Sequence, residues 1–240
     1  MLARETEDGV YQSTRKIITL VIDDPDYPTI ETIADNIVSQ CKARTANEYE
    51  LALALHDWLI DHTTYDDSLM YCHPEGALAR GLSICDSYQL AYAMLLNRAG
   101  IENDRVEALV SGGGHTWNLV KLDGNWYHID PTWDDGTDRH LYFGVTDELI
   151  ALSQGHQPFT PVSEKACTSL ADNYYVRSGE AGKWADGYEQ LIHEHLAAGE
   201  TSFTFDSGML EDNTYNDDIR KAICACYLSQ KNGWEVTYSV

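Results

Sequence analysis

The feature that most constrains this chain is a change of hydrophobic period at residue 100. Up to it, Tyr88, Ala91, Tyr92, Leu95, Leu96 and Ala99 recur at i, i+3, i+4, i+7, i+8 and i+11, one face of an α-helix, and Gly100 follows as a left-handed cap. Beyond Ile101 the period is two. Arg105 to Val110, His115 to Leu122 and Asn125 to Ile129 read as strands, the last two joined across Asp123-Gly124, a favoured hairpin turn. Leu141 to Val145 adds a further strand. A helix leading into an antiparallel sheet defines an α+β chain.

The flanks are less sharply patterned. Arg15 to Ile22 is β-branched and stops at DDPDYP, so a strand and turn are expected; Ile30 to Cys41 has helical spacing. Thr45 and Glu48 are placed as a capping box ahead of a helix from Tyr49 to about Asp61. Thr63 to Ser83 reads as a loop with at most short turns. After a soft boundary near Leu170 the expectation is strand Tyr174 to Arg177, helix Ala185 to Ala198, strand Ser202 to Phe205, helix Asn216 to Gln230 and strand Trp234 to Val240. The implied division is an N-terminal strand and helix (1–44), a core (45–170) and a small αβ region (171–240).

Charge narrows the partners. Sixteen Lys and Arg against 39 Asp and Glu give a net charge of -23, which repels nucleic acid and anionic membranes. Solubility accounts for that charge; attraction of cationic substrates such as basic peptides is the sharper alternative. No apolar run approaches the ~20 residues of a bilayer span, and MLARETEDG lacks the pattern of a secretory signal. Two locations fit: the cytoplasm, or the cell surface or exterior after removal of a signal ahead of this numbering. Six cysteines without a CxxC pair do not make a disulfide scaffold, and Cys224 and Cys226 face apart on a helix.

Cys85 opens the helix of the first paragraph, where unpaired N–H groups and the macrodipole favour an anion. Asp86 acts against this, so a positive partner is needed, and histidine is the candidate. If Asp123-Gly124 is a two-residue loop, Leu122 pairs with Asn125, and His115, Trp117, Trp126, His128 and Asp130 share one face. His115 and Asp130 are then diagonal neighbours within side-chain reach. His128 competes on the same face; His115 is preferred because Gly112 to Gly114 leave a bare backbone before it. A thiol, an imidazole and a carboxylate so arranged have the nucleophile, base and orienter logic of a triad. The plainer alternative is a small buried thiol and a satisfied core histidine.

ALARGLSICDSYQLAYAMLLNRAGI followed by HTWNLVKLDGNWYHIDPTWDD resembles the transglutaminase-like superfamily of papain-type cysteine enzymes, its bacterial members especially, over roughly residues 49–143. The resemblance implies a papain-like core of N-terminal helices, nucleophile helix and antiparallel sheet, here with a small αβ C-terminal extension. It implies Cys85 as nucleophile, His115 as general base and then acid, and Asp130 as the group holding the imidazole. The implied reaction is thioester formation from a peptide or protein amide, then transfer to water or to an amine, without a cofactor. Ser87 departs from the glycine of many relatives and stands to narrow the cleft. The Cys85 N–H and the side chain of Tyr65 are the oxyanion donors considered, with a buried tyrosine as the bland reading of Tyr65.

Three further sites carry weaker signals. His193 and His195 lie about 200° apart on a helix and cannot share a metal. Asp134, Asp135 and Asp138 lack calcium-loop spacing and read as a polar turn. A zinc ion on Cys85, His115 and Asp130 is disfavoured by the single thiolate, so no metal is expected. Two rival functions use the same scaffold: a non-catalytic protein- or cell-surface-binding module, and an acetyltransferase.

Overall fold

The computed structural model describes residues 3–5, 11–13, 28–110, 113–136, 138–156, 163–203 and 215–236. The expected strand Arg15 to Ile22 lies outside them. Short strands β1 (Ala3–Glu5) and β2 (Tyr11–Ser13) pair antiparallel. Helix α1 (Ile30–Lys42) starts at Thr29, whose hydroxyl accepts from Thr32 N. Helix α2 (Glu48–His62) is capped by Asn47 and not by the expected Thr45–Glu48 box. Asn47 Oδ1 accepts from Glu50 N at 2.8 Å while Glu50 Oε2 accepts from Ala46 N at 2.7 Å. Thr45 instead donates to Cys41 O and closes the end of α1. The reciprocal box has moved two residues along, to a stronger cap residue.

The loop after α2 carries more order than its sequence shows. β3 (Thr64–Tyr65) pairs in parallel with β4 (Leu82–Ser83), and a π-helical turn spans Gly76–Arg80. Asp66 fastens the intervening chain by accepting from Ser68 N, Met70 N and Tyr71 N. Helix α3 (Cys85–Ala99) ends on Gly100 at φ 85°, as its spacing predicts.

The sheet runs in the order β5 (Asn103–Val110), β6 (Gly113–Leu122), β7 (Asn125–Ile129), β8 (Phe143–Val145), antiparallel throughout. Asp123 and Gly124 both have positive φ, 47° and 89°, the signature of the two-residue turn whose twist matches a hairpin. The register is Leu122 against Asn125, as the parity reading requires. Alternation gives the sheet two apolar faces. Val120, Leu122, Tyr127 and Phe143 join α1, α2 and α3 in one core; Val106, Trp117, Leu119 and Val145 join Ile219, Ala222 and Ile223 in another.

α4 (Pro131–Asp134) and α5 (Asp147–Ile150) flank β8. Beyond them, Tyr174–Arg177 is a helical turn, α6, and not the expected strand: Asn173 caps it by accepting from Tyr175 N and Val176 N. α7 (Glu180–Ala197) and α8 (Tyr215–Asn232) follow. The expected strands at Ser202 and Trp234 are not formed among the described residues, and 204–205 and 237–240 lie outside them. The described part of the C-terminal extension is thus helical where an αβ unit was expected. No helix among the described residues is long and apolar enough to cross a membrane.

One buried charge cluster ties α2 to α4. His56 lies between Asp57 (3.2 Å) and Asp134 (3.1 Å), and His140 also reaches Asp57 at 2.8 Å. Burial acts against the charged ring, but the hydrogen bonds and charges of Asp134 and Asp57 outweigh it and push His56 up to about 9. Burial pushes Asp134 up to about 7, with His56 opposing. Both shifts mean that the native state holds protons more tightly than the unfolded chain. For His56 the stabilisation is complete below its ordinary 6.5 and is lost as pH rises through about 9; for Asp134 the loss runs from 3.8 through about 7. The unfolding midpoint is therefore expected to fall between pH 6 and pH 9.5, and His56→Gln to flatten that fall. Thermal melts of both proteins across this range check it; parallel curves would exclude the cluster as the cause.

Candidate active site

Three elements converge at the open end of β6. Cys85 is the first residue of α3, half-buried, at a helix start whose cap residue Ile84 has no side chain to satisfy the free N–H groups. α3 is held across the sheet by Asn118, whose amide donates to the Gln89 carbonyl at 3.2 Å. The neighbouring Asp86 is engaged by Arg105 of β5 at 2.8 Å. The like charge that acts against a thiolate is thereby partly balanced.

Asp130 leaves β7 and caps α4. Its Oδ1 accepts from Thr132 N (2.9 Å) and Trp133 N (3.4 Å), with Pro131 at the first helical position, where no N–H is needed. The cap fixes the carboxylate and aims Oδ2 at the imidazoles. His115 Nε2 lies 2.6 Å from Oδ2, and His156 Nε2 lies 2.7 Å from the same oxygen. Burial opposes ionisation of Asp130, but the charges and hydrogen bonds of His115 and His156 hold its carboxyl well below the usual carboxylate range. An ionised carboxylate only accepts, so each Nε2 carries its proton.

With Nε2 committed, Nδ1 of His115 is the nitrogen left for Cys85. The Cys85 side chain lies close enough to this ring to raise its proton affinity. Burial lowers the proton affinity of His115, but Asp130 and then Cys85 raise it more, so that the imidazolium is pushed up to about 10. The ring stacks on Trp117 (5.5 Å, 22°), beside His156 (5.1 Å) and Trp133 (6.0 Å). It is 8% exposed, enough to meet a ligand from one side. That side opens into a cavity of about 570 Å³ lined by Thr64, Tyr65, His115, Thr132, Trp133, Asp135 and Gly136.

The structure thus brings His115 to Asp130 and Cys85, and leaves the competitor His128 elsewhere. His128 accepts from Trp117 Nε1 at 2.9 Å and faces Asp147 at 2.8 Å; burial lowers its proton affinity. Tyr65 is exposed on the cavity wall and not the buried tyrosine of the bland reading; burial first and the nearby Cys85 next raise its phenol. The β3–β4 pairing carries it there. Ser87 does not narrow the cleft: it is buried, and its hydroxyl donates to the His73 carbonyl at 2.6 Å.

The aspartates after Asp130 go to separate partners. Asp134 meets His56, Asp135 accepts from Tyr88 (2.5 Å), and Asp138 accepts from Tyr175 (2.5 Å) and pairs with Arg220. His195 pairs with Glu200 at 2.7 Å, and His193 packs on Trp234.

His156 is the site residue that the sequence did not signal. It lies in a 3-10 turn, Gln154–His156, 26 residues beyond Asp130 and without periodicity. Gly155 beside it allows Trp133 to close over the turn, since a Cβ there would come 1.9 Å from the indole.

Three clusters among the described residues have metal-ligating atoms close together. In His128–Asp147–Cys167, Trp117 donates to Nδ1, so Nε2 carries the proton and His128 keeps no lone pair for an ion. In His56–Asp57–His140, both His56 nitrogens face carboxylates and carry protons. The third cluster is His115–Asp130–His156, where protons occupy both contacts to Oδ2.

Comparison with known proteins finds similarity over this part of the chain. Residues 31–131 match the transglutaminase-like superfamily. Kyphoscoliosis peptidase of Homo sapiens is 25% identical over 126 residues, and that of Mus musculus 24%. Each match covers 45% of this chain and 19% of the relative, so the chain spans about a fifth of those proteins. The crystal structure of a TGase is 19% identical, with a TM-score of 0.39, over 42% of this chain and 31% of that one.

Proposed function

We propose, from the place of residues 31–131 in the transglutaminase-like superfamily, that this chain is a thiol-dependent hydrolase or acyltransferase acting on peptide or protein amides. The observation that supports this reading is the Asp130–His115 contact at 2.6 Å, with Cys85 beside the same ring at a helix start. Asp130 keeps the proton on Nε2 and leaves Nδ1 as the base. Nδ1 has already taken the Cys85 proton, and Sγ attacks the amide carbon as a thiolate paired with the His115 imidazolium. His115 returns that proton to the leaving nitrogen, the C–N bond breaks, and a thioester remains. Water or a lysine amine then attacks the thioester, giving its proton to His115, and the C–S bond breaks as the sulfur leaves as the thiolate beside the re-formed imidazolium.

Charge builds on the carbonyl oxygen in both steps. The Cys85 N–H and the Tyr65 hydroxyl are the donors proposed for it, and the position of Tyr65 on the cavity wall supports the second. Tyr65→Phe is expected to lower kcat by roughly 10- to 100-fold, below the usual loss for one oxyanion donor because the Cys85 N–H remains. An unchanged kcat would remove Tyr65 from the reaction.

The net charge of -23 favours basic peptides as substrates. Mass spectrometry of a peptide containing Gln and Lys, incubated with and without an amine donor, tests the function. Backbone cleavage places the chain with peptidases, and loss of ammonia with gain of the amine places it with transglutaminases. No change in mass across a set of basic and neutral peptides would favour a binding module.

A further inference from the structure

We propose that His156 is a positioning residue of this site, giving Asp130 Oδ2 a second N–H donor that fixes the carboxylate and moderates its pull on His115. This rests on the reading of Cys85, His115 and Asp130 given above. Three observations carry it. His156 and His115 approach the same carboxylate oxygen, at 2.7 and 2.6 Å, although Oδ1 is already taken by the backbone of α4. The far nitrogen of His156 is also fixed: Nδ1 lies 2.6 Å from Ser153 Oγ, and Ser153 is itself fully buried. The ring is fully buried, enclosed by Trp117 (4.9 Å), Trp133 (4.9 Å) and Tyr142 (4.8 Å).

These contacts determine the state of the ring. Burial, with the charges of His115 and His128, lowers the proton affinity of His156, while Asp130 opposes them. A neutral imidazole has one N–H, and a carboxylate can only accept, so that proton sits on Nε2. Nδ1 then accepts, and Ser153 donates. The result is a directed line of hydrogen bonds: Ser153 to His156, His156 to Asp130, and His115 to the same oxygen from the other side. The titratable groups facing the two rings are Cys85 from α3, His128 from β7, Asp130 and Tyr142.

A second donor draws electron density from Oδ2, so Asp130 binds the His115 proton less tightly than it would alone. General acid–base work needs a group that gives up its proton, and a lone buried carboxylate would hold the imidazolium too firmly. Gln places an N–H where Nε2 sits, while Phe keeps the packing and removes the donor. The two substitutions therefore separate hydrogen bonding from space filling.

The experiment is histidine side-chain NMR of the full chain across pH, on the unaltered protein, His156→Phe, His156→Gln and Ser153→Ala. The unaltered protein should show His156 as the neutral Nε2–H tautomer. In His156→Phe the protonation midpoint of His115 should move up by about one pH unit, while His156→Gln stays near the original. Ser153→Ala, the fallback if the Phe variant does not fold, removes the donor to Nδ1, so that Nε2–H becomes a weaker donor to Oδ2 and the His115 midpoint should move the same way by less. An unmoved midpoint in the Phe variant, or in Ser153→Ala if only that variant folds, overturns the proposal. So does an equal shift in the Phe and Gln variants. Alkylation of Cys85 by iodoacetamide in the unaltered protein tells the two failures apart. A rate no higher than that of free cysteine counts against the proposed function, whereas fast alkylation with an unmoved midpoint counts against His156 alone.

Discussion

Cys85→Ala is expected to lower turnover of any amide substrate by about 10⁴-fold or more while leaving the fold intact. The asymmetry follows from position. Cys85 is half-buried at the first turn of α3, and the core face of that helix is carried by Tyr88, Tyr92, Leu95 and Leu96, all fully buried. Removing one sulfur there should cost under about 1 kcal/mol, a shift of roughly 2–4 °C in the unfolding midpoint. Of the other five cysteines, Cys41, Cys167 and Cys224 are buried, and burial raises the thiols of Cys167, Cys224 and Cys226. Circular dichroism melts beside single-turnover assays check the pair of expectations. Residual turnover within tenfold of the unaltered protein would exclude Cys85 as the nucleophile.

Substitutions of Asp130 should damage activity and stability in separable ways. Asp130→Asn keeps a good helix cap for Thr132 N but presents an amide where two imidazole N–H groups need an acceptor. Turnover is expected to fall roughly 10⁴-fold, because the wrong tautomer of His115 is then favoured. Asp130→Ala also loses the cap and leaves both imidazoles unpaired in a buried site, which should cost about 3–5 kcal/mol and lower the midpoint by on the order of 10 °C. A crystal structure or melt showing the Ala variant as stable as the Asn variant would mean that the carboxylate is not the anchor of α4 and the two rings.

How much of this was legible in sequence depends on the range of the interactions. The period over Tyr88–Ala99 and the Asp-Gly turn are local, and both elements form where the pattern places them. The parity of a two-residue loop then decides which side chains share a face, so the closeness of His115 and Asp130 could be read from one dipeptide. Tyr174–Arg177 failed because its β-favouring residues are overruled by Asn173, a cap that only matters once the chain has turned. The cap of α2 was misplaced by two residues because two boxes compete there, Thr45 with Glu48 and Asn47 with Glu50. His156 was out of reach for a different reason. Its partners are Asp130, 26 residues earlier, and Ser153, and no spacing rule marks a turn that meets its site only through the packing of Trp133 against Gly155.

The central claim is that His115 activates Cys85. It is tested most directly by the rate at which iodoacetamide labels Cys85 at pH 7, read peptide by peptide in the unaltered protein and in His115→Ala. Half-buried Cys72 and Cys226 serve as internal standards. The account predicts labelling at least about tenfold faster than free cysteine in the first protein, falling by a similar factor in the second, with the standards unchanged. Equal labelling of Cys85 in both proteins, at the rate of the standards, would contradict it.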